Sequence, residues 1–249
     1  MFNELLYLSG NDIPFAEARL VIHQPTIKEI AYLGEETFYT GCEFLKFDKD
    51  ILPEEDKSKL DNQTNFEVLI AIMGEQNITI QKQKICVMMV LSLLFPKYSI
   101  KLKENYISFI DNASNDKEEL KIDKTNFEEF KKILSHMFCL DGDKENQTDY
   151  NPQGEMAKKI AEKLKKRHQR IAAEKNEGGP VSILSKYTSI LAVGEQKDMN
   201  SLLNYTVYQL FDELKRYQLK IAWDMTANAR LAGASDIKDA EDWMKDIHS

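Results

Sequence analysis

The spacing of apolar residues divides the chain into a mixed part and a helical part. Residues 5–8 and 18–23 are short apolar runs around the turn signal Ser9-Gly10-Asn11-Asp12 and read as strands, with Pro14 limiting pairing near the second. Thr26, with Glu29 three residues later, is a capping-box signature. Apolar positions at Ile27, Ile30, Ala31, Leu33, Phe38, Cys42 and Leu45 then predict a helix to about residue 45, with Gly34 and Gly41 as weak points. Pro53 opens a short acidic helix over 53–60, and further helices are predicted over 66–73 and from about 80 to 95. The last is apolar nearly all round after Ile85, which places it in the middle of the core. Residues 99–102 and 106–110 alternate as a β-hairpin, with 119–122 as a third strand. Thr125 with Glu128 repeats the capping box and starts a helix through 138 that turns Phe127, Phe130, Ile133, Leu134 and Met137 inward.

Residues 141–154 are polar apart from Tyr150 and read as a linker. Beyond them the pattern is helical, over 155–175, 181–193 and 205–231, the last about 40 Å long. Its inner stripe is Val207, Leu210, Phe211, Leu214, Tyr217, Ile221 and Met225. Gln209, Glu213, Arg216, Lys220 and Asp224 face outward, and Asp212 supports Arg216 one turn on. Gly233 stops it. The predicted class is α+β: a mixed domain over 1–140, a polar linker over 141–154, and a helical domain over 155–249 ending in an amphipathic acidic tail.

Composition narrows the classes. The chain has 249 residues, 43% hydrophobic and 30% charged, which is enough for a real core and excludes disordered and fibrous classes. The longest apolar stretch, 85–95, is too short to span a bilayer, and the N-terminus has no basic export-signal region, so a soluble cytoplasmic protein is expected. Three widely spaced cysteines give neither a disulfide framework nor a metal spacing. The net charge of −8 is uneven: residues 155–175 hold eight basic side chains against three acidic, and 235–249 hold five acidic against two basic.

The candidate chemistry is weak at every point. Residues 141–149 place oxygen ligands at alternate positions like a calcium loop, but Asn146 stands where glycine is required and Pro152 where a bidentate glutamate is required. His136 and Cys139 share a helix turn without an orienting carboxylate or oxyanion-hole signature in the sequence. No phosphate loop is present: 177–180 ends in proline where an amide donor is needed. The chain therefore reads as a non-enzyme, with no catalytic, cofactor or metal residues. Lys159, Lys163, Lys166, Arg167 and Arg170 form one basic helical face. Without interleaved aromatics, that face suits solvent or an acidic protein better than nucleic acid. In the tail, Trp243, Met244 and Ile247 share a face that docks either on the chain itself or on a partner.

Several segments carry a resemblance: Ser185-Lys186-Tyr187, residues 206–212, Trp223-Asp224-Met225, Arg230-Leu231-Ala232-Gly233 and residues 242–248, with residues 22–30 near the start. Over about half the chain, these resemble tail- and baseplate-module proteins of tailed phages and prophages of Gram-positive bacteria. The resemblance implies a non-enzymatic assembly chaperone in the host cytoplasm. It would bind tape-measure or hub proteins through Tyr208, Phe211, Tyr217, Trp223, Trp243, Met244 and Ile247, and homo-oligomers are compatible with it. The alternative it implies is a structural virion component of the baseplate or neck.

Overall fold

The computed structural model describes residues 3–49, 60, 62–74, 78–113, 118–140, 182–233, 239–245 and 247. The expected acidic helix over 53–60 and the linker and basic helix over 141–175 fall almost wholly outside these residues. The architecture is α+β, with a mixed N-terminal part followed by helices.

The chain opens with a helix, α1 (Glu4–Ser9), where a strand was expected. A run of consecutive apolar residues carries no period, and the local bonds decide: the Ser9 hydroxyl donates to Leu6 O at 2.7 Å, and Gly10 closes the turn with φ +69°. The first hairpin lies further on, pairing β1 (Ile13–Phe15) with β2 (Leu20–Ile22). Ile13, Phe15, Leu20 and Ile22 are buried, while Pro14 and Val21 face outward on this two-stranded ribbon. A proline fits there because an edge position asks for no ladder donor.

Thr26 and Glu29 form the predicted reciprocal box and start α2 (Ile27–Leu33). Gly34, at φ +94°, ends that helix and caps α3 (Glu35–Leu45), so the expected single helix is two. Next come α4 (Asn65–Gly74) and α5 (Ile78–Leu94). α4 begins on another reciprocal pair: Thr64 N donates to Glu67 Oε2 at 2.9 Å and Glu67 N to Thr64 Oγ1 at 3.2 Å. The Thr64 amide, with Lys124 at 2.9 Å, holds the Glu67 carboxyl down at about 2. α5 does not run through the middle of the core. Val87, Val90, Leu91 and Leu94 are buried, but Ile85 is 59% and Met89 42% exposed, because no described element covers that side.

β3 (Tyr98–Leu102), β4 (Ile107–Asp111) and β5 (Glu119–Ile122) form the predicted antiparallel sheet, with Ile100 opposite Phe109 and Phe109 opposite Leu120. α6 (Phe127–Met137) buries Phe127, Phe130, Ile133, Leu134 and Met137 as predicted. Its capping box does not form. The Thr125 hydroxyl donates to Asp123 Oδ1 at 2.5 Å, and Asn126 takes the N-cap position, its side chain tied to Lys121 O.

The C-terminal helices are α7 (Ile183–Gly194), α8 (Met199–Leu203) and α9 (Val207–Leu231). Their buried residues Leu184, Leu191, Leu202, Val207, Tyr208, Leu210 and Leu214 belong to the same apolar cluster as Phe15, Phe38, Phe95, Phe109 and Phe130. Main-chain amides take part in the contacts that join the parts. Ile27 N donates to Tyr205 O at 2.8 Å beside an antiparallel bridge of Thr26 with Thr206. Glu35 Oε1 accepts the amides of Ile183 and Leu184 at 2.9 and 3.2 Å, satisfying the first turn of α7. Among the described residues, no helix is long and apolar enough to cross a membrane.

α3 crosses α5 closely at Gly41, where an added Cβ would lie 2.6 Å from Val90 Cγ2 and 2.7 Å from Cys86 O. Backbone cannot yield as a side-chain tip can. Gly41→Ala should therefore lower stability by about 2 kcal/mol and the melting temperature by about 4–8 °C. Gly74→Ala, which meets nothing within 4 Å, should leave both nearly unchanged in calorimetry. A second expectation concerns acid. Burial alone would raise the Glu29 carboxyl, but the amide and hydroxyl of Thr26 and the imidazole of His23 outweigh it and hold it low. The stability it contributes is present above the ordinary carboxylate pKa and is lost as pH falls through the depressed value. Glu29→Gln keeps an acceptor in the box, so the variant's melting temperature should fall less steeply than wild type between about pH 5 and 3.

Candidate partner-binding surface

α9 leaves the body part-way along its length. It starts from a reciprocal capping box between Thr206 and Gln209. The Gln209 amide also donates to Leu8 O at 2.7 Å, which ties the first turn of α9 to the C-terminal end of α1. Val207, Tyr208, Leu210 and Leu214 are buried, and after Leu214 no residue of the helix is. The stripe itself continues in sequence: Ile221 and Met225 follow Leu214 and Tyr217 at three- and four-residue spacing, now 39% and 68% exposed. An apolar helical face thus runs out of the core into solvent.

A second face of the same helix is covered. Arg216, Leu219, Trp223, Thr226 and Arg230 also recur at three- and four-residue spacing, turned well away from Ile221 and Met225. Residues 239–245 and 247 lie along it in the reverse direction. Arg230 pairs with Asp239, Arg216 Nη1 donates to Trp243 O at 3.1 Å and Lys245 O at 2.5 Å, and Lys215 Nζ donates to Ile247 O at 3.2 Å. Leu219 and Thr226 are half-buried on this side, whereas Lys220, Asp224 and Ala227 are exposed.

The predicted partner-binding residues are spread over three environments. Tyr208 is buried at the root of α9, where its hydroxyl donates to Glu4 and its ring packs beside His136 and Tyr7. Burial and then the Glu4 carboxylate push its phenol well above the usual range, and burial raises Tyr7 to about 12. His136 Nε2 lies 3.0 Å from Glu4 Oε2, and Cys139 Sγ is 3.9 Å from the His136 carbonyl rather than against its ring. Phe211 is half-buried, edge-on to Tyr187 at 5.3 Å, and Tyr217 is half-buried in the space left by Gly194. Trp223 is 41% exposed on the covered face. Trp243 and Ile247 are half-buried in the tail, while Met244, expected beside them, is 69% exposed. The basic face of Lys159, Lys163, Lys166, Arg167 and Arg170 lies outside the described residues.

Sequence reasoning missed Lys215 and Arg216 as tail-holding groups, having set Arg216 facing outward beside Asp212. The available signal was a cationic pair and Arg230 bracketing an apolar stretch, followed by an acidic segment long enough to fold back over it.

A family model described as YomV second domain matches residues 175–248, which takes in α7, α8, α9 and the tail. That family is associated with phages and prophages, and the similarity covers less than a third of the chain. No curated protein and no solved structure matches the chain.

Removing the Tyr208 hydroxyl leaves Glu4 its contact with His136. Tyr208→Phe should therefore lower stability by about 1 kcal/mol in denaturant unfolding. Because Tyr208 is only 4% exposed, the variant should leave the tryptophan fluorescence of the far end of α9 unchanged.

Proposed function

We propose that the protein is a non-enzymatic assembly chaperone of the phage tail or baseplate, which holds amphipathic helices of tape-measure or hub proteins until assembly takes them up. The observation that carries this reading is the apolar stripe of α9 leaving the core at Leu214 and continuing exposed through Ile221 and Met225. Apolar surface that adjoins a core and lies open along a helix gains by burial against a second helix, and this is the helix-in-groove mode of recognition. The root of the helix is fixed by the Thr206 box and the Gln209 and Tyr208 bonds, so the open face is presented in one direction without ordering on contact. The similarity of residues 175–248 to a phage-associated family supports the phage setting.

The test is capture from phage-producing cells. Tagged protein should co-purify with a tail or baseplate polypeptide, and Ile221→Glu with Met225→Glu should remove that polypeptide at unchanged thermal stability, since neither residue is in the core. Mass spectrometry of purified virions should then lack the protein. Its stoichiometric recovery there would replace the chaperone reading with that of a structural component of the baseplate or neck.

A further inference from the structure

The covered face of α9 has a composition of its own: Lys215 and Arg216 at one end, Arg230 at the other, and Leu219 and Trp223 between. Its occupant is acidic, with five acidic and two basic residues over 235–249. None of the described residues between 239 and 247 belongs to the apolar core, so the tail is laid onto a finished fold. Apart from the Arg230–Asp239 pair, the hydrogen bonds from Lys215 and Arg216 run to main-chain carbonyls of Trp243, Lys245 and Ile247. Main-chain acceptors do not depend on the tail's own side chains. A guanidinium fork bonds a carboxylate more strongly than it bonds amide carbonyls, so the donors at Arg216 are held by less than their best ligand.

We propose that the tail is an internal pseudo-ligand of this face, and that the partner segment which takes the face is an acidic amphipathic stretch that displaces the tail. The inference rests on the chaperone reading and names the chemistry of its client: carboxylates placed for Arg216, Lys215 and Arg230, flanking apolar side chains placed against Leu219 and Trp223. The open Ile221 and Met225 face lies on the opposite side of the same helix, so a client of two helices, one on each side, meets both. α9 and the tail lie within one family-model match, over residues 175–248.

The test uses the full chain carrying Trp223→Phe, which leaves Trp243 as the reporter because the chain has two tryptophans. A synthetic acidic amphipathic peptide without tryptophan should red-shift Trp243 emission saturably, and the same peptide with lysine at its acidic positions should not. Arg216→Glu should show the shifted emission before any peptide is added and no response after it. In a second arm, a labelled peptide of residues 234–249 should bind a chain ending at Gly233 about tenfold more tightly than the full chain, because the tethered tail competes at millimolar effective concentration. Equal binding to both chains, or unshifted Trp243 emission with saturating acidic peptide, overturns the proposal. If a tail protein is still captured from cells, that failure leaves the chaperone reading standing. Capture of no tail or baseplate protein, with the fluorescence shift intact, removes the chaperone reading alone.

Discussion

The placement of the C-terminal helices depends on the meeting of two helix N-termini. α2 and α9 begin side by side, which brings the positive ends of two backbone dipoles close together and repels unless the free amides are satisfied. Each helix meets that demand internally, with Thr26 and Glu29 in one case and Thr206 and Gln209 in the other. The Ile27 amide is given across the junction to Tyr205 O. The negative end of α1 completes the arrangement, since its Leu8 carbonyl receives the Gln209 amide. Gly10 keeps that approach possible: a Cβ there would stand 3.1 Å from Gln209 Nε2, at a backbone φ of +69°. The direction of α9 is therefore decided within its first turn.

Beyond that anchored turn, α9 is a lever. Its 25 residues extend about 38 Å, and burial stops at Leu214. An isolated helix of the remaining length would be marginal in water. This one is continuous with an anchored turn, and it gains bonds from the tail at Lys215, Arg216 and Arg230. The tail is thus a support for the projecting half as well as the occupant of one of its faces. Its links are exposed or half-exposed, where ion pairs and hydrogen bonds contribute little individually. A support of that strength holds the helix without locking it.

Local signals were legible where a single helix turn decided the outcome. Thr26 with Glu29 formed its box as read, and the inward face of α6 was read correctly from period alone. The same Thr-x-x-Glu pattern at Thr125 failed because Asp123, two residues earlier, takes the threonine hydroxyl. At residues 5–8 an aperiodic apolar run favoured neither class, and Gly10 and Ser9 settled it as a helix. The far half of α9 shows a different limit. Ile221 and Met225 lie on the same stripe as Leu210 and Leu214, and periodicity reports which face is apolar, not where the packed body ends. For α5 the same limit applied in reverse: apolarity on all sides suggested full burial, yet Ile85 and Met89 face outward. The charge asymmetry was plain in the sequence, while its pairing was a matter of reach. The helix ends beside Gly233, at φ +93°, and Arg216 takes the carbonyl of Trp243 in the tail.

The chaperone proposed above would hold a client and then give it up, which needs binding that is specific in direction and modest in strength. Rigid anchoring at Thr206 supplies the first, because little ordering entropy remains to be lost at the root when a partner arrives. A tethered acidic tail supplies the second, because it lowers the apparent affinity of any competitor by the fraction of time the face is occupied. The two requirements act on opposite ends of one helix, separated at Leu214, so either can change without disturbing the other. A stronger tail would make a poorer holder but a faster releaser, and the Arg230–Asp239 pair lets that balance shift through a tail side chain without altering the fold beneath.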